Sequence, residues 1–287
     1  MTENKYKLAL EGLVIEDPVK SFFDYCKERE NIRVKREAGE NFPWSDDIIF
    51  QKGRFLNVFR EDDKVSRSIL KFAEPLKDDL PLLIQALFFG RWCNRKDTLE
   101  ELSYEDLSDP KKLKSKLLEL EQWENYNAYP VQDVMWNDNH FSRIDTATTL
   151  FYEIKNELVN IILDSNQNVI TATNDINKLF RMENDFPIFM ALIDIAWFRN
   201  DVIPMSSEVP TGIGAQPYLD RLEDYLGLDS HQDVATKMMS LQKEYWPNAK
   251  REFYPIDIEY QSCECRKYFS YVNGTKTFEG KNLLVID

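Results

Sequence analysis

The stretch SDPKKLKSKLLELEQW, residues 108–123, decides the fold class. Asp109 stands before Pro110, and a capping side chain followed by proline in the first turn is a typical helix start. Apolar side chains then recur every three or four residues, at Leu113, Leu117, Leu120 and Trp123. Because this is the spacing of one face of an α-helix, the stretch predicts an amphipathic helix.

Helix signals also mark several other segments. Asp145 and Thr146 open a predicted helix, and Ser230 with Asp233 resembles a capping box at the start of another. Gly227 is placed to end the helix before it, because glycine readily adopts the left-handed conformation of a helix end. Most of the chain therefore shows helical periodicity, and the fold class is predicted to be mainly α.

Strand and loop signals are few. The C-terminal stretch YFSYVNGTKTF, residues 268–278, places Asn-Gly between two aromatic or β-branched runs. That arrangement is typical of a β-hairpin, so a short C-terminal hairpin is predicted. Residues 204–217 are rich in proline, glycine and serine and predict a loop. We expect three segments: an N-terminal helical extension at 1–49, a helical domain at 50–268 with one core or two lobes, and a hairpin and tail at 269–287.

Composition limits the classes of function. The 287 residues carry a formal charge of −14, so nucleic-acid binding needs a local cluster of Lys and Arg rather than a basic surface. The four cysteines suggest reduced thiols, and the two histidines lie far apart, so no metal site is expected. Without a signal-peptide pattern or a long apolar run, the protein is expected to be soluble and cytoplasmic, with no membrane partner.

The first candidate site is GRFLNVFREDDKVSR, residues 53–67. If the segment is helical, Arg60, Asp63 and Arg67 have the spacing of ordinary ion pairs on a solvated face. The alternative is that paired arginines hold a phosphate while Asp63 accepts a proton or orients an arginine. Periodicity does not choose between the two interpretations.

Four further segments contain side chains suited to chemistry. Residues 90–95, GRWCNR, combine Trp92 with Asn94 and Arg95 and fit either a phosphate contact or a helix end. Residues 210–216, PTGIGAQ, fit a weak anion-binding loop through Gly212 and Gly214.

In the other two segments, carboxylates lie within helical patterns. Asp194 interrupts the apolar run FPIFMALIDIAWF, where it is either a base with a raised pKa or the partner of Arg199 or another cation. Residues 255–268 place Asp257, Glu264 and Lys267 broadly on one side of a helix, which by itself favours a structural C-terminal helix.

These five segments, in this order, resemble the α-glutamyl/putrescinyl-thymine pyrophosphorylase family, to which the helical domain of phage 5-hydroxymethyluracil DNA kinases is similar. The resemblance covers residues 50 to 268. It is carried by G-R-F-x-N-V-F-R-E-x-D-x-V-S, W-x-N-R, Ala128-Tyr129, the apolar Asp194 helix, G-x-G-A and D-I-E-x-x-x-C-E-x-x-K-Y. It implies a helical fold distantly like the helix-hairpin-helix DNA glycosylases, with 50–268 as the catalytic domain.

The resemblance also implies an activity, in which an amino acid or polyamine amine displaces pyrophosphate from 5-(pyrophosphoryloxymethyl)uracil in DNA. The implied partners are DNA containing modified thymine, the amine donor and a 5-hydroxymethyluracil DNA kinase. No cofactor is firmly implied, although Mg²⁺ bound to pyrophosphate would need few protein ligands. A phage-encoded protein would act in the host cytoplasm.

The family motifs assign roles to particular residues. The implied catalytic residues are Arg60, Asp63, Asp194 and Lys267. Glu259, Cys263 and Tyr268 match motif positions without an assigned role. The implied substrate-binding or pyrophosphate-binding residues are Arg54, Asn57, Asn94, Arg95, Tyr129, Gly212, Gly214, Asp257 and Glu264. Tyr129 or Trp92 is expected to stack on the target base.

Two other functions stay open from the sequence. One is a non-catalytic helical DNA-binding or assembly module that accompanies a base-modifying kinase. The other is a glycosylase-like hydrolase that removes a modified base. The arginine, carboxylate and lysine set favours the transferase.

Overall fold

The structure, a computed structural model, describes residue 6, residues 8–126 and residues 131–284. The helices are α1 (Pro18–Glu37), α2 (Ile48–Lys52), α3 (Lys64–Ala73), α4 (Leu80–Cys93), α5 (Lys96–Glu101), α6 (Pro110–Glu119), α7 (Arg143–Asp145), α8 (Phe151–Asp164), α9 (Val169–Phe180), α10 (Phe186–Phe198), α11 (Gln216–Leu226), α12 (His231–Tyr245) and α13 (Pro255–Val272). A π-helical turn at Thr146–Leu150 joins α7 to α8. Strands β1 (Val134–Trp136) and β2 (Asn139–Phe141) form an antiparallel pair. The predicted mainly α fold class is confirmed.

Short 3₁₀ turns complete the described backbone, at Leu8–Leu10, Arg60–Asp62, Glu74–Leu76, Tyr104–Ser108 and Gly280–Asn282. None of the helices in the described ranges is both long enough and apolar enough to cross a membrane.

The chain divides into two compact units. The first contains residues 1–62 and 211–287, and the second contains residues 63–210. This division differs from the three expected segments. The N-terminal extension and the C-terminal tail belong to one unit because α1 packs against α11, α12 and α13, which follow it by almost two hundred residues.

Aromatic side chains fill the core of the first unit. Phe22 and Phe23 of α1 are fully buried and meet edge to face, with 5.4 Å between ring centroids. Phe253, just before α13, stacks on Phe23 at 6.3 Å. Each such ring contributes about 1.5–3 kcal/mol when fully removed from water. The Tyr218 hydroxyl donates a 2.9 Å hydrogen bond to the Pro18 carbonyl, which satisfies its polar atom inside this core.

Local sequence signals determine where helices of this unit begin and end. The Ser230 hydroxyl accepts from the Asp233 N–H at 3.1 Å and caps α12, and Gly227 ends α11 at a φ of +63°. The helix end at Gly227 and the cap at Ser230 are confirmed. The Asp233 carboxylate accepts from the Ser230 hydroxyl at 2.7 Å rather than from its backbone N–H, so the predicted capping box is formed only in part.

The predicted C-terminal hairpin is wrong. Residues 268–272 continue α13, and Asn273 with Gly274, at a φ of +67°, forms the turn that ends this helix. Asn-Gly serves both a hairpin turn and a helix end, because both can use a left-handed residue.

The second unit is built around α4, which packs against α10, α8 and α3. Apolar residues occur on every side of α4, as is typical of a buried helix. Gly90 permits the close approach of α3, since a Cβ there would lie 2.8 Å from Ile69 Cγ2. Trp92 is fully buried, with its ring centroid 4.9 Å from that of Phe151. A buried Trp92 is a core residue, so the expectation that it stacks on a DNA base is wrong.

Candidate functional site

The 53–62 loop is the first part of the candidate site, and it is not a helix. Its backbone is irregular until the 3₁₀ turn at Arg60–Asp62, so the helical-face interpretation of this segment does not apply. Side chains of α13 hold it in place instead. The Leu56 N–H donates to Glu264 Oε2 at 2.8 Å, and Gln261 Nε2 donates to the Val58 carbonyl at 3.0 Å. The first and last sequence motifs are therefore in direct contact.

Asn57 fixes the shape of this loop. Its Nδ2 donates to the Asp62 carbonyl at 2.8 Å, which closes the loop over the 3₁₀ turn. Its Oδ1 accepts from Arg29 Nη2 of α1 at 2.6 Å, and the same nitrogen donates to the Phe55 carbonyl at 3.3 Å. Asn57 was expected to bind substrate, and in the structure both ends of its side-chain amide bind protein groups. Arg29 was not identified from the sequence, because it lies outside the matched motifs.

Arg60 and Glu259 form the chemically distinctive part of the site. The Arg60 side chain is buried, and its guanidinium carbon lies 4.8 Å from the centroid of the Tyr260 ring. Glu259, the residue before Tyr260 on α13, is also buried and accepts a 3.1 Å hydrogen bond from the Gly212 N–H. Burial raises the pKa of Glu259 to about 7, although the Gly212 N–H and the charge of Arg60 oppose the rise.

A carboxyl group with a pKa near neutrality can accept and release a proton at physiological pH. An arginine beside it offers a planar set of donors for a phosphate. From the sequence, Asp63 and Asp194 were the expected proton acceptors, and Glu259 had no assigned role. The feature of the sequence that could have indicated a buried Glu259 is its position among the apolar residues Ile256, Ile258 and Tyr260.

The loop at Gly212 and Gly214 packs closely against α13. A Cβ at Gly212 would lie 2.9 Å from Glu259 Oε1, and one at Gly214 would lie 2.7 Å from Cys263 Sγ. Arg266 Nε donates to the Gly214 carbonyl at 3.1 Å. The glycines thus permit close packing, and the Gly212 N–H binds a carboxylate of the protein. This differs from the anion-binding loop expected from the sequence.

Asp257 belongs to a buried ion-pair network. Arg251 donates to both of its carboxylate oxygens, at 2.6 and 3.0 Å, and also to both oxygens of Glu61, at 2.9 and 2.8 Å. Lys250 reaches Asp62 at 2.6 Å. The network joins the end of the 53–62 loop to the start of α13, so Asp257 has a structural role rather than the expected pyrophosphate contact.

Glu264 and Lys267 form the ion pair that their spacing predicted. Lys267 Nζ lies 2.6 Å from Glu264 Oε1, while the other carboxylate oxygen accepts from the Leu56 N–H. The expected catalytic lysine is thus held by a carboxylate next to the 53–62 loop. Arg54 is exposed, and its backbone N–H donates to the Asn282 carbonyl at 3.0 Å.

The remaining expected site residues belong to the second unit. Asp63 is the residue before α3, and its side chain makes no capping hydrogen bond. Asn94 ends α4 at a φ of +41° and is buried. Arg95 donates to Gln122 Oε1 at 2.9 Å. Tyr129 lies outside the described residues.

Asp194 is paired inside the second unit. Arg91 Nε and Nη2 donate to its two carboxylate oxygens at 2.6 and 2.7 Å, and Nη2 also lies 3.1 Å from Ser66 Oγ. Because a bidentate arginine occupies both oxygens, Asp194 is unsuited to act as a general base. The sequence argument that this carboxylate must be paired or useful was sound, but the partner is Arg91 rather than Arg199, which pairs with Asp201.

We expect Asp194→Ala to destabilise the protein by about 3–5 kcal/mol, because it leaves the buried Arg91 charge uncompensated. Urea unfolding followed by circular dichroism measures the change. Asp201→Ala, which removes a carboxylate from an exposed ion pair, should leave stability nearly unchanged. A fully stable Asp194→Ala protein that has lost its activity would contradict the structural role and support Asp194 as the general base.

Within the described residues, no group of three or more His, Cys, Asp or Glu side chains is arranged to hold a metal ion. The four cysteines are free thiols.

The fold and the site together define an α-helical protein in which one buried helix carries a near-neutral carboxyl group beside an arginine. The chain belongs to the family described as the helical domain of 5-hmdU DNA kinase, whose model matches residues 16–276. The predicted relation to that domain is confirmed, whereas the narrower resemblance to the pyrophosphorylases and to glycosylases stays a prediction. No curated protein and no solved structure matches the chain significantly.

Proposed function

We propose that this protein is a transferase of DNA base hypermodification that displaces pyrophosphate from 5-(pyrophosphoryloxymethyl)uracil with an amine. The family supports a role with hydroxymethyluracil in DNA. The observation that carries the chemistry is the placement of buried Glu259, with a pKa of about 7, within the electrostatic reach of Arg60. A displacement by an amine needs both a group that accepts a proton and a cation that stabilises the leaving group.

Arg60 is assigned to the leaving group. Pyrophosphate departs readily only when its growing negative charge is neutralised, and a guanidinium can bind two of its oxygens at once. The guanidinium carbon lies 4.8 Å from the centroid of the Tyr260 ring, and this cation–π contact restricts the position of the guanidinium before substrate binds. This preorganisation lowers the cost of orienting the donors during the reaction.

Glu259 is assigned to the proton. The amine enters as an ammonium ion, and Glu259 in its ionised form removes one proton. The nitrogen lone pair then forms a C–N bond to the methylene carbon on the base. The C–O bond breaks, and its electron pair leaves with pyrophosphate. Glu259 releases its proton to solvent afterwards, and the Gly212 N–H holds the carboxylate in place throughout.

The other expected participants enter this proposal only in part. Asp194 has no role in the proposed reaction because its carboxylate is bonded to Arg91. Asp257 has none because its carboxylate is bonded to Arg251. Mg²⁺ carried by pyrophosphate remains an expectation of the family resemblance, and no residue is assigned to hold it. The amine donor, the flipping of the target base and a partner kinase remain proposals that follow from the family resemblance.

A transfer assay tests the proposed function. DNA carrying 5-(pyrophosphoryloxymethyl)uracil is incubated with the protein and with pooled amino acids and polyamines. Pyrophosphate release is measured, and the DNA is then digested to nucleosides for mass spectrometry. The same DNA with unphosphorylated 5-hydroxymethyluracil is the control.

We expect pyrophosphate release together with a nucleoside whose mass is raised by one amine. DNA binding without release would contradict the transferase and favour a binding module. A free base in the supernatant would instead indicate a glycosylase-like hydrolase.

A further inference from the structure

Arg29 of α1 is a buried guanidinium without a carboxylate partner among the described residues. Arg29 is 6% exposed, and its hydrogen-bond acceptors among the described residues are neutral, the Phe55 carbonyl and Asn57 Oδ1. Its Nη1 atom is buried and has no hydrogen-bond acceptor among the described residues. By contrast, Arg33, one turn further along α1, is bonded to the carboxylates of Glu30 and Glu37.

A buried cation with neutral partners is unfavourable for the folded protein. Removing an ion from water costs several kcal/mol, and a nearby carboxylate normally offsets most of that cost. Burial lowers the pKa of Arg29, which shows that desolvation is its largest environmental effect. The nearby Glu264 is already paired with Lys267 and with the Leu56 N–H. The protein thus retains a positive charge that its own acidic side chains do not neutralise by direct contact.

Arg29 contacts the 53–62 loop, so its positive charge lies at the candidate site. Arg29 holds Asn57, and Asn57 closes the same loop that ends in Arg60. Two guanidinium groups from distant parts of the chain therefore meet at one short loop, Arg29 through its bonds to Phe55 and Asn57 and Arg60 as a residue of the loop.

We propose that Arg29 is a second guanidinium of a diphosphate-binding site, in which its Nη1 donates to one phosphate group while Arg60 binds the other. The assignment rests on the proposed function, because it concerns the same leaving group. A diphosphate carries several negative charges, so it can offset the desolvation of two arginines where a carboxylate would offset only one.

Direct binding of inorganic pyrophosphate to the full chain tests this assignment without any transfer reaction. Isothermal titration calorimetry gives Kd for the wild-type protein and for Arg29→Gln, which removes the charge but keeps a hydrogen-bond donor. We expect Kd to rise about 10- to 100-fold, the factor that corresponds to the loss of one charge-assisted hydrogen bond. The matched control is Arg181→Gln, which removes the same charge from an exposed arginine of the second unit and should leave Kd unchanged.

Stability provides the second readout. Since Arg29→Gln removes an uncompensated buried charge, it should fold with a Tm close to that of the wild type, and pyrophosphate should no longer raise that Tm. Arg29→Lys keeps the charge without the planar donors and should give an intermediate Kd. Unfolding of both variants would overturn the proposal, because it would show that Arg29 serves the fold.

The outcomes separate this inference from the proposed function. Unchanged pyrophosphate binding by folded Arg29→Gln would overturn the role of Arg29 and leave the transferase standing. A wild-type protein that transfers the amine but does not bind pyrophosphate would also overturn the role of Arg29. Selective loss of pyrophosphate binding in Arg29→Gln, in a protein that transfers no amine, would support the anion site and reject the transferase.

Discussion

Glu259→Gln is expected to lower the rate of amine transfer by about 10³-fold or more while making the protein more stable at neutral and alkaline pH. General-base catalysis contributes about 10²- to 10⁴-fold, and glutamine cannot accept the proton. Glutamine is nearly isosteric and keeps an oxygen for the Gly212 N–H, so the loop should stay in place. Loss of activity together with a gain in stability is typical of a buried ionisable group that is retained for function.

The pH dependence follows from the raised pKa of Glu259. This carboxyl group has a pKa of about 7 in the folded protein, against about 4.3 for an unperturbed glutamate in the unfolded chain. Below pH 4.3 both states bind the proton, and the contribution of the group to stability is fully present. As the pH rises to 7 the unfolded chain releases its proton first, so stability is lost. The loss is on the order of 3 to 4 kcal/mol.

Two measurements check this prediction. Urea unfolding at several pH values should show that the advantage of Glu259→Gln grows between about pH 4.3 and 7 and is constant above. The wild-type kcat/KM should rise with pH through an apparent pKa near 7. Glu252→Gln, which changes an exposed carboxylate paired with Lys243, is the matched control and should alter neither property. A variant that is destabilised at pH 8 and still active would show that Glu259 is structural and ionised.

The sequence predicted the helices well because their signals are local. Asp109 before Pro110, Ser230 and Gly227 act within one helical turn, so their effects can be read without knowledge of the fold. The hairpin prediction at Asn273-Gly274 was wrong for the same reason. A local turn signal does not reveal that the preceding eighteen residues form one helix, whose faces are buried by packing against distant elements.

The candidate site was only partly predictable, because it depends on contacts between distant residues. The motifs indicated Arg60 and the α13 segment, and the structure brings them together. The partners that decide roles were not visible: Arg251 occupies Asp257, Arg91 occupies Asp194, and Arg29 holds Asn57. The pairing of each carboxylate was also hidden. Asp257, Asp194 and Glu264 are at least as buried as Glu259, but each is bonded to a cationic side chain. Glu259 instead accepts from the neutral Gly212 N–H, and burial raises its pKa.

Arg60→Ala is expected to lower kcat/KM by about 10³-fold or more, since a single arginine that stabilises a departing phosphate contributes about 10³- to 10⁵-fold in comparable reactions. The protein should remain folded, with a loss of about 1–2 kcal/mol from the contact with the Tyr260 ring. Unfolding curves and steady-state kinetics with the pyrophosphorylated DNA check both expectations. Arg36→Ala, at an exposed site, is the control for the loss of one positive charge.

The pH profile of the Arg60 variants distinguishes binding of the leaving group from an effect on the base. The charge of Arg60 lowers the pKa of Glu259, so Arg60→Ala should raise that pKa further above about 7 and move the acidic limb of the rate profile to higher pH. Arg60→Lys keeps the charge and should leave the limb in place, but it should still transfer slowly because an ammonium group cannot bind two phosphate oxygens in one plane. If both variants have the wild-type rate per folded molecule, Arg60 is not part of the site. If only the limb moves and the maximal rate is unchanged, Arg60 tunes Glu259 and another cation must bind the pyrophosphate.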